Sequence, residues 1–225
     1  MFKFKRFMWM IIVILLLGAF ILAFKMRDSF ISDTDVNMYI NDKDISYELV
    51  EYEEDISKSF TKNEDISNIK ELEDISPVIV KVKVDSKSPR EMYEWTTLTK
   101  VIVEEVYKGE LDKESIYIFE PFDAYSTNPM IYSLDGYNIM NEDSGYILFL
   151  RDMKDSNYTP NDTIYMPTTT QLSKFSVNGD KVIKASNYEL KYSNVKKQDI
   201  ISSNEKIINK YNNMKENVVN KYITE

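Results

Sequence analysis

The sequence predicts a mainly β fold: a small barrel of short strands with flanking helices, preceded by one N-terminal transmembrane helix. Three observations predict it. An uncharged apolar run, Phe7 to Phe24, stands near the start of the chain. The middle of the chain alternates apolar and polar residues at the period of a strand. Beyond Asp199 the apolar residues recur at helical spacing instead. The chain accordingly divides into a membrane anchor (1–27), an acidic stalk (28–62), a barrel domain (63–195) and a C-terminal amphipathic helix packed on that domain (196–225).

The apolar run, "FMWMIIVILLLGAFILAF", has 18 residues. At about 1.5 Å per residue a helix of this length reaches roughly 27 Å, the thickness of a bilayer's hydrocarbon core. A cleaved signal peptide is the rival reading, but no small-residue A-x-A site follows the run. Lys3, Lys5 and Arg6 precede it and Lys25 and Arg27 follow. That slight basic bias favours a cytoplasmic N-terminus and an extracytoplasmic domain.

The 225 residues carry a formal charge of −9 and include neither Cys nor His. Thiol nucleophiles, histidine-based dyads and nearly all zinc or haem sites are thereby removed. An acidic chain is also a poor ligand for nucleic acid. No catalytic activity, cofactor or metal is expected.

Acidity concentrates between Asp28 and Ser76, with fifteen acidic residues against four lysines, a local balance of −11. An Asp-Ile-Ser tripeptide recurs there at 44–46, 55–57, 65–67 and 74–76. Its uneven intervals imply no solenoid. A solvated stalk explains it, with Asp and Ser in turns. A cation-binding or partner-docking array is the second reading.

Ile66, Ile69, Leu72 and Ile75 then predict a short helix, stopped by Ser76-Pro77. "PVIVKVKVD" predicts a strand with Val78, Val80, Val82 and Val84 on one face. "EWTTLTKVIVEEVYKG" continues as a longer strand, in phase through Val101 and Val103. A β-bulge at Glu104-Glu105 restores the phase for Val106. Gly109 supplies a positive-φ turn into "SIYIFEP", so this stretch is expected as a bulged hairpin with Val101, Val103 and Val106 buried. "GYILFLRDM" is apolar on both faces, as a strand covered on both sides should be. "TIYMPTT" is a weaker strand, and Asn178-Gly179 within "KFSVNGDKVIK" predicts a hairpin. Ile201, Ile208, Tyr211, Val218 and Tyr222 predict the terminal helix, with Ser202 to Glu205 as its capping box. Its stripe packs on the domain or, in a second reading, binds a partner.

The segments "SPVIVKVKV", "LTKVIVEEVYKGE", "IYIFE" and "GYNIMNEDSGYILFL" together resemble a bacterial extracytoplasmic domain, over roughly residues 76–151. That domain is the oligonucleotide/oligosaccharide-binding (OB) barrel in its netrin and metalloproteinase-inhibitor-like (TIMP-like) form. The resemblance implies a five-stranded OB-like β-barrel. Lys81 or Lys83 stands where relatives carry Gly, and Asp143-Ser144-Gly145 replaces their Gly-Glu turn. The inhibitors' zinc-chelating N-terminal Cys has no counterpart, so their mechanism does not transfer.

Two acidic clusters, Asp135-Gly136-Tyr137-Asn138 and Asn141-Glu142-Asp143, lack the spacing of a calcium loop and read as turns. The candidate binding residues are Phe122, Asp123 and Tyr125, placed by Pro121 on a loop beyond the second strand of the hairpin. The functional expectation is a membrane-anchored, extracytoplasmic binding or interaction module with an envelope-protein or cell-wall partner. The alternatives are a carboxylate-dependent enzyme acting on envelope polymers, or an accessory subunit of a membrane complex.

Overall fold

The computed structural model describes residues 8–9, 11–23, 35–50, 66–93, 96–125, 130–152, 164–185 and 191–224. The chain forms two units, residues 1–35 and 36–225. In the first, residues 8–9 and 11–23 are helical. Among the described residues no helix is long and apolar enough to cross a membrane. Phe7, Met10 and Phe24 of the expected anchor lie outside the described residues.

The second unit is mainly β, and its centre is a closed five-stranded barrel. Strands β1 (Ser46–Val50), β2 (Val78–Val84), β3 (Glu91–Tyr93), β4 (Thr96–Lys108) and β5 (Ser115–Glu120) come first in the chain. They are followed by β6 (Phe122–Tyr125), β7 (Met130–Leu134), β8 (Gly145–Asp152), β9 (Ile164–Pro167) and β10 (Lys174–Ser176). The barrel order is β8-β2-β4-β5-β9, and β9 closes the ring by pairing with β8. The edge of β8 that β9 takes at Leu150–Asp152 is taken by β10 at Tyr146–Leu148. A second sheet has the order β1-β7-β6, with β1 parallel to β7.

Period two makes β2 a wall: its valines at 78, 80, 82 and 84 are buried, while Lys83 is exposed. They meet Val101, Ile116, Ile118, Tyr146, Leu148 and Leu150 inside the barrel. The bulge falls where the phase slip requires it. Lys81 pairs with Glu105 and Val82 with Val103, leaving Glu104 as the extra residue. A second irregularity leaves Tyr107 between the partners of Ile79 and Val80. The strand therefore coils, serving β5 through Thr97–Ile102 and β2 through Val101–Lys108. One expectation fails here: Val106 lies past the end of the β5 pairing and is 37% exposed. Gly109 does turn the chain, at φ 90°. A Cβ there would lie 2.9 Å from the Pro77 carbonyl oxygen.

Both faces of β8 are covered, as its composition requires. Ile147 and Phe149 point away from the barrel interior into a second core with Ile79 and Phe175. Helices α2 (Ile69–Ile75) and α3 (Glu205–Val219) close that core with Leu72, Ile208, Tyr211, Met214 and Val218. Asn68 caps α2 by accepting from Glu71 N, and Asn204 rather than Ser202 caps α3. The two helices are clasped where Lys221 Nζ and Tyr222 Oη donate to Glu73 Oε1, at 2.6 and 2.7 Å.

Two further expectations need correction. Residues 36–50, assigned to the stalk, are folded. Helix α1 (Val36–Ile40) and Ile45 enter a third core with Phe122, Ile131, Tyr137 and Tyr192. Residues 51–65 lie outside the described residues, and with them the tripeptide at 55–57. The Asn178-Gly179 hairpin does not form either. Asn212 of α3 holds Val182 by both backbone groups, accepting from its N–H at 2.8 Å and donating to its carbonyl at 3.0 Å. That side chain replaces the strand partner which the turn would have supplied.

Candidate functional site

Among the described residues, three polar places stand out inside the domain. The first is the junction of β10 with α3. Asp199, 4% exposed, accepts at Oδ2 from Lys215 Nζ (2.9 Å), Tyr211 Oη (2.8 Å), Ser176 Oγ (2.8 Å) and Ser176 N (3.2 Å). Burial opposes its charge, but Lys174 and Lys215 hold its pKa below the ordinary carboxylate value. Lys174 is also buried and donates to the Asn138 and Asp199 carbonyls. Burial lowers its pKa to about 8, against the pull of Asp199 and Glu120. Its ammonium lies over the Tyr137 ring, 4.7 Å from the centroid.

The second place is the end of β5. Alternation puts Glu120 on the face of Ile116 and Ile118, and it is fully buried. Its carboxylate accepts from Thr99 Oγ1 (2.5 Å), Tyr137 Oη (2.8 Å) and Met140 N (2.8 Å). The turn after β7 supports this arrangement. Asp135 and Gly136 have φ of 48° and 79°, and Tyr137 N donates back to the Leu134 carbonyl. A Cβ on Gly136 would stand 2.2 Å from the Ile201 carbonyl oxygen. Both carboxylates are thus fully engaged by the protein's own donors.

The third place is a cleft of about 130 Å³ between α1, the loop before β3, the β7–β8 connection and the short 3-10 helix Tyr192–Asn194. Arg90 and Tyr192 contribute to its buried wall, and Ile40, Ile139 and Met140 give it an apolar side. Asn41, Asn141, Glu142, Asp143 and Lys196 complete the lining. Arg90 is 1% exposed, and its carbonyl is fixed by Val36 N at 2.9 Å. Its Nη2 stands 3.9 Å from Glu142 Oε1, beyond hydrogen-bond length, and Glu142 is 39% exposed. Lys196 Nζ donates to Asn41 Oδ1 at 2.6 Å. Burial lowers the Lys196 pKa; Glu142 and Asp143 act against this, while Arg90 reinforces it. Glu142 and Asp143 therefore lie exposed at the cleft, with Lys196 beside them and Arg90 buried in its wall.

The candidate residues from the sequence lie elsewhere. Phe122 is not on a loop. The chain passes at Pro121 directly from the barrel into the second sheet, and β6 begins at once. Phe122 is fully buried, with its ring centroid 5.7 Å from that of Tyr192 and its carbonyl accepting from Thr97 Oγ1. Asp123 is 6% exposed, and burial raises its pKa to about 6. Tyr125 pairs with Met130 through its backbone, and its side chain lies outside the described residues. Exposure of Phe122 and Asp123 on a loop is therefore overturned by strand burial.

Of the two acidic clusters, Asp135–Asn138 is a turn, and Asn141–Asp143 is a turn that also borders the cleft. Among the described residues no group of three or more Asp or Glu could hold a metal ion. Arg90 and Lys196 carry no periodic signal in sequence. Glu120 did, as an acid at the inward parity of an apolar strand. No family model, no curated protein and no solved structure matches this chain.

Proposed function

We propose that this protein is a membrane-tethered, extracytoplasmic binding module, an OB-like barrel of the netrin and metalloproteinase-inhibitor-like form. The observation that carries the binding reading is the contrast between its charged groups. Glu120 and Asp199 are engaged by internal donors, whereas Glu142 and Asp143 lie exposed at a concave cleft. Engaged carboxylates hold structure, and accessible groups in a concave site bind. The same contrast favours binding over carboxylate-dependent hydrolysis.

The tether reading rests on the Phe7–Phe24 run and its basic flanks. Its described side chains are exposed all round, including Ile14, Leu15, Leu16, Phe20 and Ile21. A helix apolar on every face belongs in a core or a bilayer. The partner is an envelope protein or cell-wall component, and nucleic acid is disfavoured by the −9 charge.

Protease added to intact protoplasts tests the topology: it should digest the domain while a cytoplasmic marker survives. Carbonate extraction should leave the full-length chain in the membrane pellet. Protection in intact protoplasts, or release by carbonate, would overturn the tether.

A further inference from the structure

The sequence contains a single asparagine followed by glycine, Asn178-Gly179. A hairpin would have locked this pair into a paired turn. It stands instead in an irregular segment after β10, with Asn178 exposed and Gly179 half-buried. Exposure leaves the side-chain amide open to water, and glycine sets no Cβ beside the backbone nitrogen that follows it. Asparagine is chemically labile in such a setting. The segment is fastened on both sides. Val177 N donates to the Gly145 carbonyl at 2.9 Å, and the Asp180 carbonyl accepts from Lys215 Nζ at 3.0 Å. Between these points Gly179 lies against the buried cluster: a Cβ there would overlap Ser176 Oγ and stand 3.1 Å from Lys215 Nζ. Ser176 and Lys215 both donate to Asp199.

We infer that Asn178 is a site of spontaneous deamidation and that its isoaspartyl product loosens the Asp199 cluster. The Gly179 backbone nitrogen attacks Asn178 Cγ and closes a cyclic imide. The side-chain amide nitrogen leaves as ammonia, carrying away the proton that Gly179 N gives up. Water then opens the imide at either carbonyl. Breaking the bond from nitrogen to Cγ yields aspartate and restores the main chain. Breaking the bond to the α-carbonyl carbon yields isoaspartate, whose main chain runs through Cγ and is one carbon longer. Solvent water is the sole co-reactant. The added length cannot be taken up inward, because Gly179 already rests on Ser176. It is taken up at the Asp180 carbonyl, which withdraws from Lys215. Aspartate adds charge without length and leaves that fastening intact.

The test is ageing of the folded full-length chain in detergent micelles, at neutral and at mildly alkaline pH. Trypsin then releases Phe175–Lys181, in which Asn178 is the sole asparagine. Mass spectrometry should find this asparagine lost before any other in the chain, and sooner at the higher pH. Isoaspartyl methylation should label the same peptide. Asn178→Gln should abolish that label, because its longer side chain closes the ring far less readily. The isoaspartyl form, separated by chromatography, should unfold at a lower temperature than the fresh chain, whereas Asn178→Asp should keep the fresh midpoint. Asn178 remaining intact in the folded chain, while a synthetic peptide of the same sequence deamidates, would overturn the site. An isoaspartyl form with the fresh midpoint, or an equal loss in Asn178→Asp, would overturn its coupling to the Asp199 cluster.

Discussion

Two clusters of like composition meet different fates in this domain. At the β10–α3 junction Asp199 is held by Lys215, Tyr211 and Ser176 at 2.8–3.2 Å. In the cleft Arg90 and Glu142 stand 3.9 Å apart, with Glu142 39% exposed. The residue types are nearly interchangeable; the difference lies in what surrounds them. A helix packed over the first cluster excludes water, so each charge must find a protein partner or be lost. Loops bound the second, and its carboxylates, Glu142 and Asp143, are exposed. The comparison teaches that a helix packed over a carboxylate, more than the residue types around it, separates the fully bonded Asp199 from Glu142, which is left at the surface.

Breaking the first cluster should have the largest effect. Lys215→Met leaves Asp199 without its ion-pair partner on α3 and should lower stability by about 3–5 kcal/mol, read from urea unfolding. Phe122→Ala should cost a comparable ~3–5 kcal/mol, because it empties a fully buried site against Tyr192. A loss under about 0.5 kcal/mol would return Phe122 to the surface.

Asp123 sharpens the comparison, being buried like Asp199 but bonded to a single donor, Ala124 N at 2.8 Å. Its folded pKa, about 6, lies above the unfolded value near 4. The folded state therefore binds the extra proton across that interval, and stability should fall as pH rises from about 4 to 6. Asp199 has the opposite sign, since its folded pKa is depressed. Its contribution is present above the unfolded carboxylate range and is lost as pH falls through the folded value. Asp123→Asn keeps the Oδ1 acceptor and should flatten the decline between pH 4 and 6 in a thermal-melt series. A wild-type slope persisting in this variant would assign the proton to another group.

The smallest change is expected in the cleft. Lys196→Met loses one contact, to Asn41, and should shift stability by under about 0.5 kcal/mol. A shift as large as that of Lys215→Met would mean that the two clusters share one structural role.

Much of the barrel was legible because its signals are periodic. The valines of β2, the slip at Glu104 and the doubly apolar β8 each follow from parity, and the α2 stripe follows from helical spacing. What escaped was written without period. Val36, Ile40 and Ile45 sit singly among acids, and their meaning depends on β7, whose pairing with β1 joins residues 46–50 to 130–134. At Asn178-Gly179 a strong local turn signal gave way to one distant side chain, Asn212. The cleft was hidden for the same reason. Arg90, Glu142 and Lys196 come from three loops, and only the folded chain brings them together. The aromatic pair at 122 and 125 was misplaced because Pro121 was taken to end all pairing, whereas it ends only the barrel strand.

The clasp between Glu73 and residues 221–222 has a consequence for the order in which the protein is made. The outer wall of the barrel, with Ile79, Ile147 and Phe149, is covered by α3, so it stays bare until residues 205–222 have been synthesised. Contacts spanning 148 and 149 positions also make the search for the native topology slow. A nascent chain would therefore present an unfinished apolar wall to its surroundings, a surface prone to aggregation. Completion of this core must therefore follow the synthesis of α3 rather than precede it.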